Sequence, residues 1–227
     1  MECRNVAVVG AGTMGRGIAH VAALAGYQTW LADVDQSTLQ KSLTEVEHDL
    51  AVAVAREKIS EVQRSAALSR LELVTDLDSI VSKCDLVIEA VPERMALKQE
   101  IFSRISHLVE DHSILATNTS SLSVSEIASS SRLPEQVVGM HFFNPPHKVR
   151  LLEIIRADQT SEQVIEAVRQ IGVRMNRELV VVNDSPGFAS SRLGIALGME
   201  AIRMVEQGVA APEDIDAAMV HGYRCLL

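Results

Sequence analysis

Aromatic side chains are scarce in this sequence: Phe, Trp and Tyr make up only 3% of its 227 residues. The core must therefore be aliphatic, and an aromatic platform for stacking nucleic-acid bases is not expected. Basic residues are also in the minority, since 21 Lys and Arg stand against 30 Asp and Glu, for a net charge of −9. That balance disfavours non-specific binding to nucleic acid, so we expect no nucleic-acid partner.

Cysteine is sparse as well. The three residues Cys3, Cys84 and Cys225 are an odd number without the spacing of a metal-ligand set, so we interpret them as thiols in a reducing compartment and expect no metal. The N-terminus lacks a charged-then-apolar leader, and no apolar run approaches the length of a membrane span. These absences predict a cytoplasmic protein without membrane association, and a mitochondrial matrix protein whose leader has been removed would look the same.

Aliphatic residues are abundant, and hydrophobic residues make up 47% of the chain. Apolar segments alternate with helical patterns as far as Asn183, which is typical of an α/β domain with a mostly parallel, Rossmann-type sheet. Strands are predicted at 6–9, 29–32, 71–74, 86–89, 114–116, 137–140, 151–155 and 179–182. Their Val, Ile and Leu content indicates strands that are buried on both faces.

The stretch 37–70 predicts a helical hairpin inserted between the second and third strands, broken near 58–61, with Ser60 as the N-cap of its second helix. The insertion either contacts substrate or is a solvated surface hairpin. The segment 183–187 then ends the α/β pattern. We predict a nucleotide-binding domain at 1–184, followed at 185–227 by a short, incomplete all-α part with helices at 188–206 and 212–220.

The most informative motif is the glycine-rich turn after the first strand. Gly10 permits a tight turn, Gly12 lets the backbone approach a pyrophosphate, and Gly15 lets the next helix pack closely. The helix start at Thr13 and Met14 presents backbone N–H groups to an anion. The alternative is a glycine turn that binds nothing.

Asp33 ends the second strand about 20 residues beyond the glycines, the spacing of an acid that binds ribose hydroxyls. With the glycine turn, it predicts a dinucleotide site that selects NAD over NADP, because a 2′-phosphate would meet a like charge.

His141 follows a predicted strand, where the ligand crevice of an open α/β sheet lies. Glu153 interrupts the next apolar run, and a carboxylate in a buried strand is costly unless it is paired. A His–Glu pair would fix the ring tautomer and support proton transfer. Alone, His141 could be a core histidine and Glu153 an edge acid facing water. Beside a dinucleotide motif, we favour the pair.

Other polar residues also lie at strand ends. Asn118 and Ser120 could bond a ribose, a carboxamide or a substrate oxygen, or such residues could simply cap the next helix. Of the remaining histidines, His20 falls on the first helix, where packing or exposure explains it. His147 follows the double proline and is expected to be exposed.

The ordered set of motifs resembles the L-3-hydroxyacyl-CoA dehydrogenase family over nearly all of residues 5–222. It consists of GAGTMGRGIA (10–19), EAVPE (89–93), TNTSS (117–121), HFFNPP (141–146) followed by LLEII (151–155), and NDSPGF (183–188). The resemblance implies an NAD-dependent dehydrogenase acting on an acyl-CoA substrate, with hydride transfer between L-3-hydroxyacyl-CoA and 3-ketoacyl-CoA.

The resemblance also implies residue roles. Asp33 is the ribose-binding acid, His141 the base, and Glu153 its partner. Residues that match NAD contacts are Glu93, Lys98 and Asn144, and Ser120 matches a serine touching both cofactor and substrate.

The chain departs from the family pattern in two places. Ser191 stands where many members have an asparagine near the substrate carbonyl, which would alter substrate preference. Members also continue beyond 222–223 into helices that close the acyl cleft and form a homodimer, whereas this sequence ends at Leu227. We therefore expect exposed apolar helix faces and reduced activity. Two alternatives stay open: a dehydrogenase of a free 3-hydroxy acid, such as a sugar acid or a carnitine-like compound, and a non-catalytic NAD-binding protein.

Overall fold

A computed structural model describes residues 3–223 and divides the chain into two compact units, with the boundary between Asp184 and Ser185. The strands are β1 (Asn5–Val9), β2 (Gln28–Ala32), β3 (Leu71–Val74), β4 (Leu86–Glu89), β5 (Ile114–Thr117), β6 (Val137–Phe142), β7 (Leu151–Arg156) and β8 (Glu178–Asn183). The helices are α1 (Thr13–Leu24), α2 (Gln36–Ala55), α3 (Glu61–Ser69), α4 (Asp78–Val81), α5 (Met95–Ser106), α6 (Val124–Ala128), α7 (Glu162–Arg174), α8 (Ser190–Glu206) and α9 (Pro212–Ala218).

The first unit is built on one 8-stranded sheet in the order β3-β2-β1-β4-β5-β6-β7-β8. Strands β1 to β6 are parallel, β7 runs antiparallel to β6, and β8 is parallel to β7. The predicted Rossmann-type, mostly parallel sheet is therefore confirmed. Strand order reverses between β1 and β4, and the carboxyl ends of these strands border the crevice where such sheets bind ligands.

Aliphatic side chains fill the core of this unit, as the composition predicts. Val6, Val8, Leu31 and Ile88 are completely buried in the sheet, and Ile18 packs with them from α1. Burial of both sheet faces explains why these strands are continuous apolar runs rather than alternating patterns.

The predicted helical hairpin is present as α2 and α3. Asp35 caps α2 by accepting a hydrogen bond from the Ser37 amide. Ser60 caps α3 in a capping box with Gln63, so the predicted N-cap is confirmed.

The second unit contains α8 and α9, followed by a π-helical turn at Met219–Tyr223. Helix α8 exposes several large apolar side chains; Leu193, Ile195 and Ile202 are 65%, 66% and 53% exposed. Cys225 lies outside the described residues. Within residues 3–223, no helix has both the length and the apolar character needed to cross a bilayer.

His20 on α1 is buried, and burial, followed by the neighbouring His147, lowers its pKa from 6.5 to about 4. As pH falls, His20 therefore becomes protonated near pH 6.5 in the unfolded chain but only near pH 4 in the folded chain. Stability is lost as pH falls through this window, by about 2 kcal/mol between pH 7 and pH 5.

His20→Gln should remove that loss. The free energy of unfolding, measured by urea titration in EDTA with Trp30 fluorescence as the probe, should be less pH-sensitive in the variant by about this amount. Equal pH dependence in the two proteins would contradict the buried, neutral state of His20.

Candidate functional site

The glycine turn between β1 and α1 has the close contacts that only glycine allows. Gly10 has a φ of 98°, and a Cβ there would lie 2.8 Å from the carbonyl oxygen of Ala90. A Cβ on Gly15 would overlap the Gly10 carbonyl oxygen. These contacts bring the start of α1 against the ends of β1 and β4.

A cavity of about 820 Å³ opens at this turn, and its lining includes Gly12, Thr13, Met14 and Asp33. Gly12 is the N-cap of α1, and no side chain caps the first N–H groups of the helix. Free N–H groups and the helix dipole form an anion site that suits a pyrophosphate. The cavity is of the size of ligand pockets, and its donors fit a dinucleotide phosphate.

Asp33 is held in place at the edge of this cavity. Its Oδ2 accepts a hydrogen bond from the Ala11 amide at 2.8 Å, and its Oδ1 accepts one from the Asp35 amide at 3.0 Å. A carboxylate fixed in this way at the end of β2 can still accept from ribose hydroxyls with its remaining lone pairs.

Lys98 lies at the centre of a buried ion pair, because it and Glu89 are 1% and 0% exposed. Its Nζ donates to both oxygens of Glu89, at 2.8 and 3.0 Å, and lies 3.3 Å from Oε2 of Glu93. Glu89 also accepts from the Thr117 hydroxyl at 2.7 Å. The ammonium group of Lys98 is therefore bound by side chains of the protein itself, and through them it links the ends of β4 and β5 to α5.

Glu93 anchors the loop after β5. Its Oε1 accepts from the Thr119 hydroxyl at 2.6 Å and from the Ser120 amide at 2.9 Å. Burial acts to raise the pKa of Glu93, but these hydrogen bonds and the charge of Lys98 together hold it below the usual value. Glu93 is thus a carboxylate at neutral pH, and it fixes Ser120 in the loop that follows β5.

His141 and Glu153 meet across the antiparallel pair β6–β7. They are register partners, and His141 Nδ1 lies 2.9 Å from Glu153 Oε2. Side chains directly opposite on antiparallel strands share one face of the sheet, which explains the contact. His141 is 6% exposed and Glu153 1%, so the acid does not face water. This pair can hold and move a proton.

Asn118 directly follows β5, and Asn144 lies in the loop after β6. Asn118 Oδ1 accepts from the Phe142 amide at 2.9 Å, which ties the end of β5 to the strand that carries His141. Asn144 is exposed in the loop that follows β6. The ring of Phe143 lies 4.4 Å from that of His141, centroid to centroid.

The structure thus brings Glu93, Lys98 and Ser120 into one network and pairs His141 with Glu153. Ser191 is half-buried in the first turn of α8 in the second unit, and its predicted role stays a prediction. Glu89, which organises Lys98, was missed, although an acid closing the apolar run of β4 was the available signal.

The expectation that His147 is exposed was wrong. Its side chain is 18% exposed, and its ring stacks on that of His20. The double proline turns the chain back against α1 instead of into solvent: a Cβ on Gly17 of α1 would lie 2.6 Å from Pro146 Cδ.

Comparisons with known proteins cover nearly the whole chain. The profile of the 3-hydroxyacyl-CoA dehydrogenase NAD binding domain matches residues 5–185, and that of the C-terminal domain of 3-hydroxyacyl-CoA dehydrogenase matches 187–225. A probable 3-hydroxybutyryl-CoA dehydrogenase of Bacillus subtilis is 39% identical over 98% of this chain and 77% of its own length. Human mitochondrial hydroxyacyl-coenzyme A dehydrogenase is 37% identical over 96% of this chain and 71% of its own.

Solved structures give the same result for the fold. The crystal structure of (S)-3-hydroxybutyryl-CoA dehydrogenase from Ralstonia eutropha has a TM-score of 0.93 at 35% identity, covering 99% of this chain and 79% of that one. Similarity in both sequence and fold therefore extends over both units.

Proposed function

We infer the function from one premise: the chain belongs to the 3-hydroxyacyl-CoA dehydrogenase family. It is an NAD-dependent oxidoreductase, and its reaction interconverts L-3-hydroxyacyl-CoA and 3-ketoacyl-CoA. The observation that carries this proposal is the buried pair of His141 and Glu153, 2.9 Å apart, in a chain that also has the glycine turn and Asp33.

His141 is the proposed catalytic base. The hydrogen bond from Nδ1 to Glu153 fixes the ring orientation, so we assign proton transfer to Nε2, which receives the proton of the 3-hydroxyl group. The carboxylate of Glu153 stabilises the imidazolium that results. In the reverse direction, the imidazolium returns the proton to the 3-keto oxygen.

The cofactor residues divide into two groups. Gly10, Gly12, Thr13, Met14 and Gly15 would hold the pyrophosphate at the start of α1, and Asp33 would accept from the adenosine ribose. Bound NAD supplies the hydride acceptor for carbon 3 of the substrate.

Glu93, Lys98, Asn118 and Asn144 are proposed to position the nicotinamide end. Glu93 does so by orienting the loop of Ser120, and Lys98 by holding Glu93 and Glu89 together. Ser120 and Ser191 are proposed to donate hydrogen bonds to the substrate, and Ser191 reaches less far than the asparagine that many family members carry.

The proposed substrate class is tested by following NADH formation with a panel of substrates. Turnover is expected with L-3-hydroxybutyryl-CoA and not with free 3-hydroxybutyrate or carnitine. Turnover of the free acids alone would overturn the acyl-CoA assignment, and stoichiometric NAD binding without any turnover would support a non-catalytic role.

Asp33 is expected to set the cofactor preference. A 2′-phosphate beside this carboxylate brings two negative charges within a few ångströms, so kcat/KM with NAD should exceed that with NADP by about 100-fold or more. Asp33→Ser should lower this ratio by at least about tenfold. Asp76→Ser, which alters another acid lining the cavity, is the matched control; an equal change in both variants would contradict the role of Asp33.

We further propose a reducing compartment, cytoplasm or mitochondrial matrix, which the free thiols of Cys3 and Cys84 support. A homodimer formed through the second unit is likewise proposed for a chain in which the C-terminal domain is complete. The apolar side chains exposed along α8 support it, because they need a partner surface to be buried.

A further inference from the structure

Three side chains from separate elements of the first unit meet beside α1: His20 on α1, Asp49 on α2, and His147 in the loop between β6 and β7. One ring nitrogen of each histidine and one carboxylate oxygen of Asp49 all lie within 4.8 Å of one another. The two rings are stacked, with centroids 5.4 Å apart and planes 6° from parallel. His147 Nδ1 lies 3.7 Å from Asp49 Oδ2.

His20 is the residue of this cluster that most needs a partner. It is 4% exposed, and its Nδ1 is buried without a hydrogen-bond partner among the described residues. A buried polar atom that has lost water and gained no hydrogen bond is destabilising, and a bound water or ion is one of the arrangements that satisfies such an atom in native proteins.

The cluster is held in place by packing on both sides. Gly17 lies one turn before His20 on the same face of α1, and a Cβ there would clash with Pro146, the neighbour of His147. Arg177 fixes the same loop by donating to the carbonyl oxygens of Pro146 and Val149, at 2.7 and 2.8 Å. The loop is therefore fixed against α1 where the two imidazoles meet.

We propose that His20, Asp49 and His147 form a binding site for a divalent cation of the zinc class. Two imidazole nitrogens and one carboxylate oxygen are ligands that zinc takes, with water in the fourth position. Tetrahedral ligands at about 2.0–2.1 Å from the ion lie about 3.3 Å apart, so ligand atoms that are now up to 4.8 Å apart must close by up to about 1.5 Å around it, and the parallel rings must tilt toward it. Magnesium prefers oxygen ligands and should not bind.

The surroundings of both histidines favour the neutral imidazole, which is the form that binds a metal ion. Burial, followed by the nearby His147, lowers the pKa of His20 to about 4, and burial also lowers the pKa of His147. Both rings are therefore neutral at pH 7, so protons compete weakly with a metal. The side chains of Asp49 and His147 are 27% and 18% exposed, which gives an ion a route from solvent.

Nearby cations act against binding. The positive charge of Arg177 acts on His20, and those of Lys148 and Arg16 act on His147. Arg16 is paired with Glu45, and Arg177 is engaged by carbonyl oxygens. We therefore expect zinc to bind more weakly here than at a thiolate site. Asp49 would supply the anionic oxygen ligand, and water the neutral one.

The test is titration of the metal-stripped full chain with ZnCl2 by isothermal calorimetry at pH 7.5. One equivalent is expected per chain, and none with MgCl2. His147→Ala and Asp49→Asn should each weaken binding by at least about 100-fold, since even residues that only support metal ligands contribute 10- to 100-fold. His48→Ala is the matched control, because His48 is exposed on α2 beside Asp49, and it should bind as the native chain does.

Cobalt substitution gives a readout that does not depend on heat. Intense visible bands of a tetrahedral nitrogen–oxygen site, absent in His20→Gln, would support the assignment. Three results would each overturn the assignment. The native chain could bind no equivalent of zinc, His147→Ala and Asp49→Asn could bind zinc as tightly as the native chain, or cobalt could give the charge-transfer bands of thiolate ligands, which would point to the cysteines. Far-UV circular dichroism verifies that every variant is folded.

Discussion

His141→Gln is expected to lower kcat for NADH formation from L-3-hydroxybutyryl-CoA by about 10²- to 10⁴-fold, the range contributed by a positioned general base. Glutamine can still donate a hydrogen bond to Glu153, so the buried carboxylate stays paired and the fold is preserved. It cannot accept and carry the substrate proton. The loss should therefore fall on kcat, whereas the dissociation constant of NAD should be nearly unchanged.

His112→Ala is the control for this prediction, because His112 is exposed in the turn before β5. Its kcat should equal that of the native chain. A rate for His141→Gln within a fewfold of native would remove His141 from the proton-transfer step.

Lys98→Met is expected to destabilise the first unit by about 3–5 kcal/mol, because it leaves Glu89 as an uncompensated buried charge. Glu89 is completely buried and accepts hydrogen bonds from Thr117 and the Val91 amide as well as from Lys98. The free energy of unfolding is measured by urea titration with Trp30 fluorescence.

Glu89→Gln combined with Lys98→Met should recover part of this loss, since the double variant removes both charges. Lys41→Met on the exposed face of α2 should change stability by no more than about 0.5 kcal/mol. A loss below about 1 kcal/mol in Lys98→Met would contradict the buried ion pair as described.

The strands and the glycine turn could be predicted from the sequence because their signals are local. Buried parallel strands such as β1 and β4 are short apolar runs, and the positive φ of Gly10 and the contact of Gly15 with the Gly10 carbonyl group arise within one turn of chain. The prediction of where β6 ends was less accurate. The end was predicted at Met140, but pairing with Leu152 of β7 extends the strand to Phe142.

Features that depend on distant residues could be predicted only in part. The resemblance marked Lys98 as a cofactor contact, but the structure shows its charge already shared by Glu89 and Glu93, which reach it from other elements. The cluster of His20, Asp49 and His147 has no spacing to suggest it, because the double proline brings His147 back to α1 only in three dimensions.

The central claim is that Glu153 acts on the reaction through His141. A double-mutant cycle in kcat with His141→Gln, Glu153→Gln and the double variant measures this directly. We predict that Glu153→Gln slows the native chain strongly and causes little further loss once His141 has been replaced. Independent losses that multiply in the double variant would contradict the account.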